Sequence, residues 1–444
     1  MQTDASVEVP RTLAEGPPPR PLGLADQLAL WGNLGVSLLV IVAGTFVLAP
    51  DPGLPALSIA AALTAVVVGS VIGNALLGLA AVAGARTGAP AMVLVRGLFG
   101  RRGSWVPTAL NIAQNIGWAT VELIVIAHLA STLTTPSLRP IFVIAGGAVA
   151  TLMAIRPLGV VRGYLKRVAV WAVVLSTVYL FVQVLRRPLP PLGQGSWRAF
   201  WKATDIVIAL PISWIPLAAD YSRHSRTERA AFGGAFAGYG LAALAFFSLG
   251  VLATANATVG DDALTSLLAL PAGAIALMIL LIDELDEVFA NVYSTVVSAQ
   301  NIGPRLDRRV GAVLVGTLVT GLALAFQDYL SYESFLLIIG SVFVPLFATF
   351  AVEFFGLRRG TWDMGEAAPA RWSMVLPWAA GFVTYQLVNP GLQPGWAAFW
   401  TARQGDLGFT SPSWASASLL SFGVAGGLAL LLGLLSKGRR VTPV

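Results

Sequence analysis

The chain lacks cysteine and has little charge. With no cysteine among its 444 residues, it can form neither disulfide bonds nor thiolate metal sites, and it has no cysteine nucleophile. Only 11% of its residues are charged, against about 25% in soluble domains, and 56% are hydrophobic. Too few charges remain to cover a water-facing surface, so the composition predicts an integral membrane protein.

The motifs of common enzymes and of ATP-driven pumps are also missing. The sequence contains no HExxH, GxGD or GxSxG string and no GxxxxGKS/T phosphate loop. We therefore predict that the protein is not an enzyme, that it needs no cofactor, and that any transport it performs is not driven by ATP.

Basic residues fall mostly on one side of the predicted membrane spans. The net charge of +6 would suggest a nucleic acid or another anionic partner for a soluble chain. With a cytoplasmic N-terminus, however, most of the 28 Lys and Arg residues lie in cytoplasmic loops, as the positive-inside rule requires. The loop with Arg186, Arg187, Arg198 and Lys202 is an exception. We predict no nucleic-acid partner and a multi-pass plasma-membrane protein with both termini in the cytoplasm.

Twelve apolar stretches are each about long enough to cross the roughly 30 Å hydrocarbon core of a lipid bilayer. Numbered as spans 1 to 12, they are 28–49, 56–84, 104–133, 140–156, 167–186, 204–221, 233–256, 271–299, 310–327, 331–356, 372–389 and 413–436. Residues 1–27 and 437–444 are then cytoplasmic tails. Spans 1 to 10 form a transport core over 28–356, and two additional spans occupy 372–436.

Spans 1 and 6 carry residues that interrupt helices. Span 1 contains the string Trp-Gly-Asn-Leu-Gly-Val-Ser, which begins at Trp31, and span 6 contains Pro211 and Pro216. Broken helices survive in a membrane only where their backbone lines a cavity, and their dipoles point at the gap. We predict an all-α membrane fold with inverted repeats over 28–186 and 204–356, each opening with a broken helix.

One face of span 3 offers an aromatic ring, amides and a carboxylate. Because four residues make about one helical turn, this face is shared by Asn111, Asn115, Trp118 and Glu122. A flat heteroaromatic solute could stack on the indole and exchange hydrogen bonds with the polar groups. The alternative is that the amides bond to neighbouring helices and that Trp118 only packs. An ionisable group at this depth costs several kcal/mol, which favours a functional role for Glu122.

Span 8 contains four acids within five residues. Asp283, Glu287 and Asn291 recur every fourth residue, and Asp286 lies beside that stripe. So many carboxylates cannot all be ionised in a low dielectric, so at least one must carry a proton or hold a cation. Asp283, Asp286 and Glu287 are thus candidates for coupling transport to H⁺ or Na⁺. Alternatively, Asp283 and Glu284 lie at an aqueous helix end and have no role.

A pair of opposite charges closes span 6. Asp220 and Arg223 lie three residues apart at the predicted cytoplasmic boundary. They could form an ion pair that acts as a gate. The alternative is that they only anchor the end of the helix at the membrane interface.

Several strings between Trp31 and Gln386 form a recognisable set. They are GAPAM at 88–92 with Arg96, Gly117-Trp118, SWIP at 213–216 with DYSR at 220–223, NVYS at 291–294, YE at 332–333, FL at 335–336 and IGSVFVP at 339–345. Together they resemble the nucleobase:cation symporter-1 family, also called the purine-cytosine permease family. The strings of spans 6 and 10 are most similar to the branch that imports hydroxymethylpyrimidine, with cytosine permeases close by.

This resemblance implies a leucine-transporter-like fold of ten core helices plus two, with substrate held between spans 1, 3, 6, 8 and 10. It implies that Trp118 stacks on the heterocycle and that Glu122 and Asn291 bond to it. The contact from span 6 falls near Trp214. Including polar residues of spans 1, 3 and 6, the candidate substrate-binding residues are Ser37, Asn115, Trp118, Glu122, Ser213, Trp214 and Asn291.

The resemblance also bears on the coupling ion. Family members that use Na⁺ carry Ser and Thr hydroxyls in span 8 and bind the ion with backbone carbonyls of span 1, for which Gly35 and Leu38 are the candidates here. This chain has Leu285 and Asp286 in place of the hydroxyls. Their loss favours a proton carried by Asp286, although a carboxylate could also bind Na⁺.

The sequence therefore predicts a secondary active symporter that imports a small planar N-heterocycle together with H⁺ or Na⁺. Cytosine and a hydroxymethylpyrimidine-like aminopyrimidine are the expected substrates, and a monomer is the expected functional unit. The runner-up is a symporter of the same fold for a purine, a hydantoin or allantoin. The alternative from another class is a passive channel or a substrate-sensing receptor, which could not concentrate its ligand.

Overall fold

The computed structural model describes residues 11–13, 18–156, 170–257, 263–328, 332–359 and 362–438. Over these residues the regular structure is helical, apart from two isolated β-bridges. The helices are α1 Leu24–Asn33, α2 Leu38–Leu48, α3 Ile59–Thr87, α4 Ala91–Leu94, α5 Arg96–Gly103, α6 Trp105–Leu133, α7 Arg139–Ile155, α8 Val170–Leu185, α9 Phe200–Ser222, α10 Glu228–Ala255, α11 Ala263–Leu268, α12 Gly273–Asp283, α13 Leu285–Ile302, α14 Arg308–Ala325, α15 Tyr332–Leu357, α16 Val375–Val388, α17 Pro394–Asp406 and α18 Ala417–Gly438. Parts of the predicted tails (1–10, 14–17 and 439–444) and the first residues of span 5 (167–169) lie outside the described residues.

Within the described part of the chain, eight helices are long and apolar enough to cross a membrane, and the bent pair of α1 and α2 makes a ninth. The eight are α3, α6, α7, α9, α10, α14, α15 and α18. The other three predicted spans coincide with the 16-residue α8, with α12 and α13 together, and with the 14-residue α16. The count of twelve spans stays a prediction.

The predicted break in span 1 is confirmed. Helix α1 ends at Asn33, α2 begins at Leu38, and their axes differ by 63°. The backbone of Ser37 is extended, and its side chain accepts a hydrogen bond from the amide of Leu39. Ser37 therefore caps the second half-helix. Gly35 lets the break press against α10, because a Cβ there would lie 2.8 Å from the carbonyl oxygen of Tyr239.

The predicted break in span 6 is wrong. Helix α9 is continuous from Phe200 to Ser222, with Pro211 and Pro216 inside it. Side chains bind the carbonyl oxygens around the two prolines: Ser213 binds that of Leu210, Gln114 that of Ser213, and Asn111 that of Pro216. Donors from a neighbouring helix and from within α9 thus bind carbonyl oxygens near the two prolines, and the helix runs through them without a break.

Span 8, expected to be continuous, is interrupted at Glu284. Helix α12 ends at Asp283 and α13 begins at Leu285. Both acids are buried, with exposed fractions of 2% for Asp283 and 0% for Glu284. Neither lies at an aqueous helix end, so that alternative does not hold.

Two groups of helices surround the centre of the molecule. In the first, α9 packs along α3, and α10 packs against α1 and α2. Two glycines of α3 allow the close approach of α9, because a Cβ at Gly73 would lie 2.4 Å from Cγ of Pro211 and one at Gly69 would lie 2.6 Å from Cβ of Val207. In the second group, α6, α7, α13 and α14 pack together. The candidate site lies between these groups.

Candidate functional site

A cavity of about 330 Å³ lies where α2, α6, α9, α10 and α13 meet. Six of the seven predicted substrate-binding residues line it, namely Ser37, Trp118, Glu122, Ser213, Trp214 and Asn291. Its other walls include Leu39, Val40, Leu210, Leu217, Tyr239 and Glu287.

Aromatic rings form two sides of the cavity. On one side, Trp118 is held at a tilt by Phe335, whose ring centroid is 5.3 Å away. Phe335 can approach because the preceding residue of α6 is Gly117, where a Cβ would lie 2.6 Å from its ring. On the other side, the rings of Trp214 and Tyr239 pack 6.0 Å apart. The cavity therefore presents flat apolar faces on which a planar ring can stack.

Three side chains form the polar wall. The amide nitrogen of Asn291 lies 3.1 Å and 3.3 Å from the two carboxyl oxygens of Glu122, and 3.1 Å from the carbonyl oxygen of Glu287. Glu287 also lines the cavity, so two acids and an amide make up this wall.

Buried acids of span 8 bind the break in span 1. Glu284 accepts hydrogen bonds of 2.8 Å from both the hydroxyl of Ser37 and the amide of Leu38. Asp283 accepts a bond of 2.8 Å from the side-chain amide of Asn33, at the end of α1. The positive end of the α2 dipole thus faces the carboxylate of Glu284, which stabilises a negative charge there. The two half-helices of span 1 are held by two consecutive acids.

Asp286 differs from its neighbours. Its side chain is completely buried, and neither of its oxygens has a hydrogen-bond partner of acceptable geometry. Over the described residues, no Lys or Arg lies within ion-pair distance of the acids in this region, which are Glu122, Asp283, Glu284, Asp286 and Glu287. An isolated carboxylate in such surroundings is unfavourable unless a proton or a cation neutralises it.

The predicted metal-binding elements are only partly brought together. In the described part of the chain, no three His, Asp or Glu side chains converge as they would on a metal ion. Leu38 presents its amide, not its carbonyl, to Glu284, and Gly35 packs against α10.

The amides of span 3 are mostly used in helix packing. Asn111 donates to the hydroxyl of Ser298, and Gln114 donates to the side-chain oxygen of Asn111. Asn115 is fully buried, has no hydrogen-bond partner on either side-chain atom, and is absent from the cavity lining. The alternative interpretation, in which these amides serve neighbouring helices, holds for Asn111 and Gln114.

The predicted ion pair at the end of span 6 does not form. Asp220 instead accepts a hydrogen bond of 2.9 Å from the amide of Ala91, at the start of α4. Arg223 donates to the hydroxyl of Tyr293 on α13, over 3.3 Å. Both residues are buried, and each has its partner on another element.

A second cavity, of about 410 Å³, lies on the opposite side of α9. Its walls include Ile215, Pro216 and Ala219 of α9 and Phe343 and Phe347 of α15, and every lining side chain is apolar. None of these side chains can form a hydrogen bond with a heterocycle. The smaller, polar cavity is therefore the candidate site.

Sequence reasoning missed two features of the site. Tyr239 lines the cavity from a π-helical turn over Gly234–Tyr239, a distortion that is frequent at functional sites. The glycines around it were the available signal. The contact of Glu284 with span 1 could not be found in this way, because it joins residues 247 positions apart and depends on two helix breaks.

Comparison with known protein sequences finds a matching family model. A sequence model of the family described as permeases for cytosine/purines, uracil, thiamine and allantoin matches residues 20–187 and 152–368. No curated protein sequence matches the chain.

Three solved structures with the same fold are distant from this chain in sequence. The structure of Mhp1, a nucleobase-cation-symport-1 family transporter, in a closed conformation with bromovinylhydantoin bound, has a TM-score of 0.70 at 16% identity, covering 98% of this chain and 95% of Mhp1. Mhp1 in an inward-facing conformation has a TM-score of 0.65 at 15% identity, and the match covers 98% of this chain and 94% of Mhp1. A Na⁺-coupled sialic acid symporter in a substrate-bound outward-open state has a TM-score of 0.52 at 11% identity. The match covers 93% of this chain and 96% of the symporter.

These findings confirm the all-α, leucine-transporter-like membrane fold predicted from the sequence, apart from the break in span 6. They also confirm the predicted family, whose members are permeases and not enzymes. The chain belongs to the family of permeases for cytosine/purines, uracil, thiamine and allantoin.

Proposed function

We propose that the protein is a secondary active symporter that imports a small planar N-heterocycle, cytosine or a hydroxymethylpyrimidine-like aminopyrimidine, coupled to H⁺ or Na⁺. The observation that carries this proposal is the cavity between the two helix groups. There two tryptophans, Trp118 and Trp214, flank a polar wall made by Glu122 and Asn291, next to the break in span 1.

The cavity suits an aromatic ring with polar atoms on its edge. Stacking on Trp118 or Trp214 would stabilise a flat ring by about 1–3 kcal/mol, and this contact is largely independent of which heterocycle binds. Selectivity would come from the polar wall, because unpaired polar groups in a buried site are costly. Ser37 and Ser213 line the same cavity and would contact the edge of the ring.

The acids of span 8 would provide the coupling. Asp286 is buried without a partner, and Glu287 lines the cavity beside Glu122. In our proposal, Asp286 takes up the coupling H⁺, with Asp283 and Glu287 as further carriers. If Na⁺ is the ion, it would bind at Asp286 with backbone carbonyls near Gly35 and Leu38.

The break in span 1 would link ion binding to movement. Glu284 binds the start of α2, so a change of charge among the neighbouring acids alters how firmly α13 holds that half-helix. The ion would favour one of the two open states because it binds that state more tightly. On the cytoplasmic side, opening would break the contacts of Asp220 with Ala91 and of Arg223 with Tyr293, which gives these two residues a gating role.

The same proposal covers placement and assembly. A plasma-membrane protein with both termini cytoplasmic accounts for the positions of its Lys and Arg residues. We also propose that a monomer is the functional unit.

Uptake of labelled cytosine into proteoliposomes tests the proposed function. A membrane potential of about 100 mV supplies about 2.3 kcal/mol per charge, enough for roughly 50-fold accumulation. We expect accumulation under an imposed H⁺ or Na⁺ gradient and its collapse when an ionophore dissipates that gradient. Uptake that only equilibrates would indicate a channel, and binding without uptake would indicate a receptor. Competition by a purine, a hydantoin or allantoin in place of cytosine would identify the runner-up.

A further inference from the structure

Two adjoining cavities lie at the end of the molecule where α9 and α15 begin. The first, of about 450 Å³, is lined by Asp51, Lys202, Glu333 and Asn389 among other residues. The second, of about 740 Å³, shares Asp51, Lys202 and Asn389 with it. The side chains of Lys202 and Asp51 are 40% and 21% exposed, so solvent reaches this space. The predicted topology places it outside the cell. We call the two cavities together the outer cavity.

The outer cavity lies in line with the candidate substrate site. Lys202, Ile206, Leu210 and Trp214 recur at every fourth residue of α9, so they follow one face of that helix. The first two line the outer cavity, and the last two line the candidate site. One helix face therefore runs from the opening to the place where we expect substrate to bind.

The first turn of α15 separates the outer cavity from the candidate site. Tyr332 donates its hydroxyl proton to the carbonyl oxygen of Leu39, a residue of the candidate site. The ring of Phe335 packs against Trp118 of the same site. Glu333, which lies between these two aromatic residues in the sequence, lines the outer cavity. This turn of α15 thus contacts the candidate site with two aromatic side chains and the outer cavity with a carboxyl group.

Glu333 differs from the other acids of the outer cavity. Asp51 is bound by Lys202 and by the amide of Gly53, and Asp205 is bound by the first turn of α18. Glu333 is 9% exposed, and neither a hydrogen bond nor an ion pair joins its carboxyl group to another described residue. A carboxylate so buried is unfavourable until a ligand or a proton satisfies it.

The outer cavity also offers hydrogen-bond donors. The side-chain oxygen of Asn389 accepts a bond from the amide of Gly391, which leaves its NH₂ group to donate. The ammonium group of Lys202 has three N–H bonds, and Asp51 uses one of them. A neutral ring with N–H and C=O groups on its edge would therefore find acceptors and donors together. A lone cation would instead meet the positive charges of Lys202 and Arg198.

We infer that the outer cavity is a second binding site for the heterocycle, in which Glu333 accepts N–H bonds from the edge of the ring and Asn389 and Lys202 donate to its oxo group. This inference rests on the proposed function and adds a site ahead of the one described above. It also gives a position in a binding site to Arg198 and Lys202, two basic residues that the topology places outside. Clefts that attract a ligand raise its local concentration and its rate of binding.

Equilibrium dialysis of labelled cytosine against the purified full-length protein in detergent tests this proposal. The wild type should bind two molecules per chain. One of them should bind at least about tenfold more weakly, because the outer cavity has no aromatic wall on which a ring can stack.

Two variants address the polar groups of the weaker site. Glu333→Gln keeps the size of the side chain and removes its charge, so the weaker Kd should rise by about 10- to 100-fold. Asn389→Asp keeps an acceptor for the amide of Gly391 and removes the NH₂ donor, so the weaker Kd should rise by about tenfold. The stronger Kd should stay within about threefold of its wild-type value in both variants.

Controls separate the two sites from each other and from a general disturbance. Asp406→Asn makes a comparable change at an exposed acid of α17 and should leave both Kd values unchanged. Trp118→Ala should weaken the stronger site and leave the weaker one. Because the chain lacks cysteine, Leu337→Cys places a single thiol in the outer cavity. In the Trp118→Ala protein, cytosine should slow the reaction of this thiol with a methanethiosulfonate reagent, and adding Glu333→Gln should abolish that protection.

The outcomes distinguish the second site from the proposed function. A wild type that binds one cytosine, or a weaker Kd that neither Glu333→Gln nor Asn389→Asp changes, would overturn the second site and leave the symporter proposal standing. So would protection of the thiol at position 337 by Na⁺ and not by cytosine, which would indicate a cation site. If neither cytosine nor hydroxymethylpyrimidine binds to the wild type, the proposed function itself fails.

Discussion

Asp205 and Asp286 are both buried in membrane helices, with exposed fractions of 1% and 0%, yet their surroundings are opposite. Asp205 accepts hydrogen bonds from the hydroxyl of Ser416 and from the amides of Ala417 and Ser418, and so caps the first turn of α18. Asp286 has no partner on either oxygen. A fully bonded anion at a helix N-terminus stabilises the fold, whereas an unbonded one needs a proton or a cation from outside.

This contrast separates structural from functional acids better than burial does. A carboxylate that already has its donors would lose them on taking up a proton, so its charge resists change. A carboxylate without donors loses nothing. In a transporter that binds and releases an ion in each cycle, the second kind is the one that can serve as the carrier.

The largest expected effect comes from removing the unbonded acid. Asp286→Asn should abolish concentrative uptake, a loss of the roughly 50-fold accumulation expected at about 100 mV, because the amide cannot carry a proton. Exchange of labelled for unlabelled cytosine should persist. Uptake and exchange in the same proteoliposomes check both points, and accumulation at the wild-type level would count against Asp286 as the coupling residue.

Removing the bonded acid should have the reverse effect. Asp205→Asn would turn an NH₂ group toward the amides of Ala417 and Ser418, and we expect a stability loss of about 3 kcal/mol. Accumulation per folded molecule should stay unchanged. Thermal unfolding in detergent, followed by uptake normalised to folded protein, gives the comparison. A variant with wild-type stability and impaired coupling would reverse the assignment of the two acids.

His224 is a buried base outside the membrane spans, so it extends the comparison of buried ionisable groups to one whose charged form is positive. The Nδ1–H of His224 donates to the carbonyl of Pro19 over 2.8 Å. Burial, with help from Arg223, lowers the pKa of His224 to about 3. Because the unfolded chain binds a proton below about pH 6.5 and the folded one does not, stability should fall with acidification, by about 2 kcal/mol at pH 5.

His224→Gln isolates this contribution, because glutamine keeps a donor and does not titrate. The wild type should lose more thermal stability than this variant between pH 7 and pH 5, and the two should then run parallel below about pH 3. If the two proteins lost equal thermal stability between pH 7 and pH 5, His224 would take up its proton without unfolding.

The smallest effect is expected at an acid that is only partly buried. Asp51, in the loop after α2, is 2.5 Å from the ammonium group of Lys202. Burial opposes its ionisation, but the bond from Lys202 and the amide of Gly53 outweigh it and lower the pKa of Asp51. Its stabilising contribution is therefore present above about pH 4 and lost below it.

For such a pair we expect less than about 1 kcal/mol. Asp51→Asn should lower the unfolding temperature only slightly at pH 7, and less still in high salt. A shift as large as that of Asp205→Asn would mean that partial exposure does not weaken this pair, and the ranking of the acids by their surroundings would have to be revised.

Periodicity along single helices could be predicted from the sequence, and contacts between helices largely could not. The stripe of span 3 contains Trp118 and Glu122, which line the cavity, and Asn115, one turn earlier, which does not. A one-turn difference decides which residues reach a cavity of this size. The spacing within a helix does not say where along it the cavity begins.

The errors have a common physical cause, which is that partners from distant segments satisfy groups that look unpaired locally. Helix α9 runs continuously across its prolines, and donors from α6 bind two of its carbonyl oxygens. Ala91 and Tyr293 separate Asp220 from Arg223. Glu284 gained its importance from a contact with the break in span 1, far away in the sequence.

The central claim is that Asp286 carries the coupling ion and leaves substrate binding to the cavity. Currents induced by cytosine across membranes that contain the wild type or Asp286→Asn, at equal protein density, test this claim most directly. We predict an inward current for the wild type, and for the variant no current but a cytosine Kd within about threefold of the wild-type value. A current of wild-type size in Asp286→Asn would contradict the account.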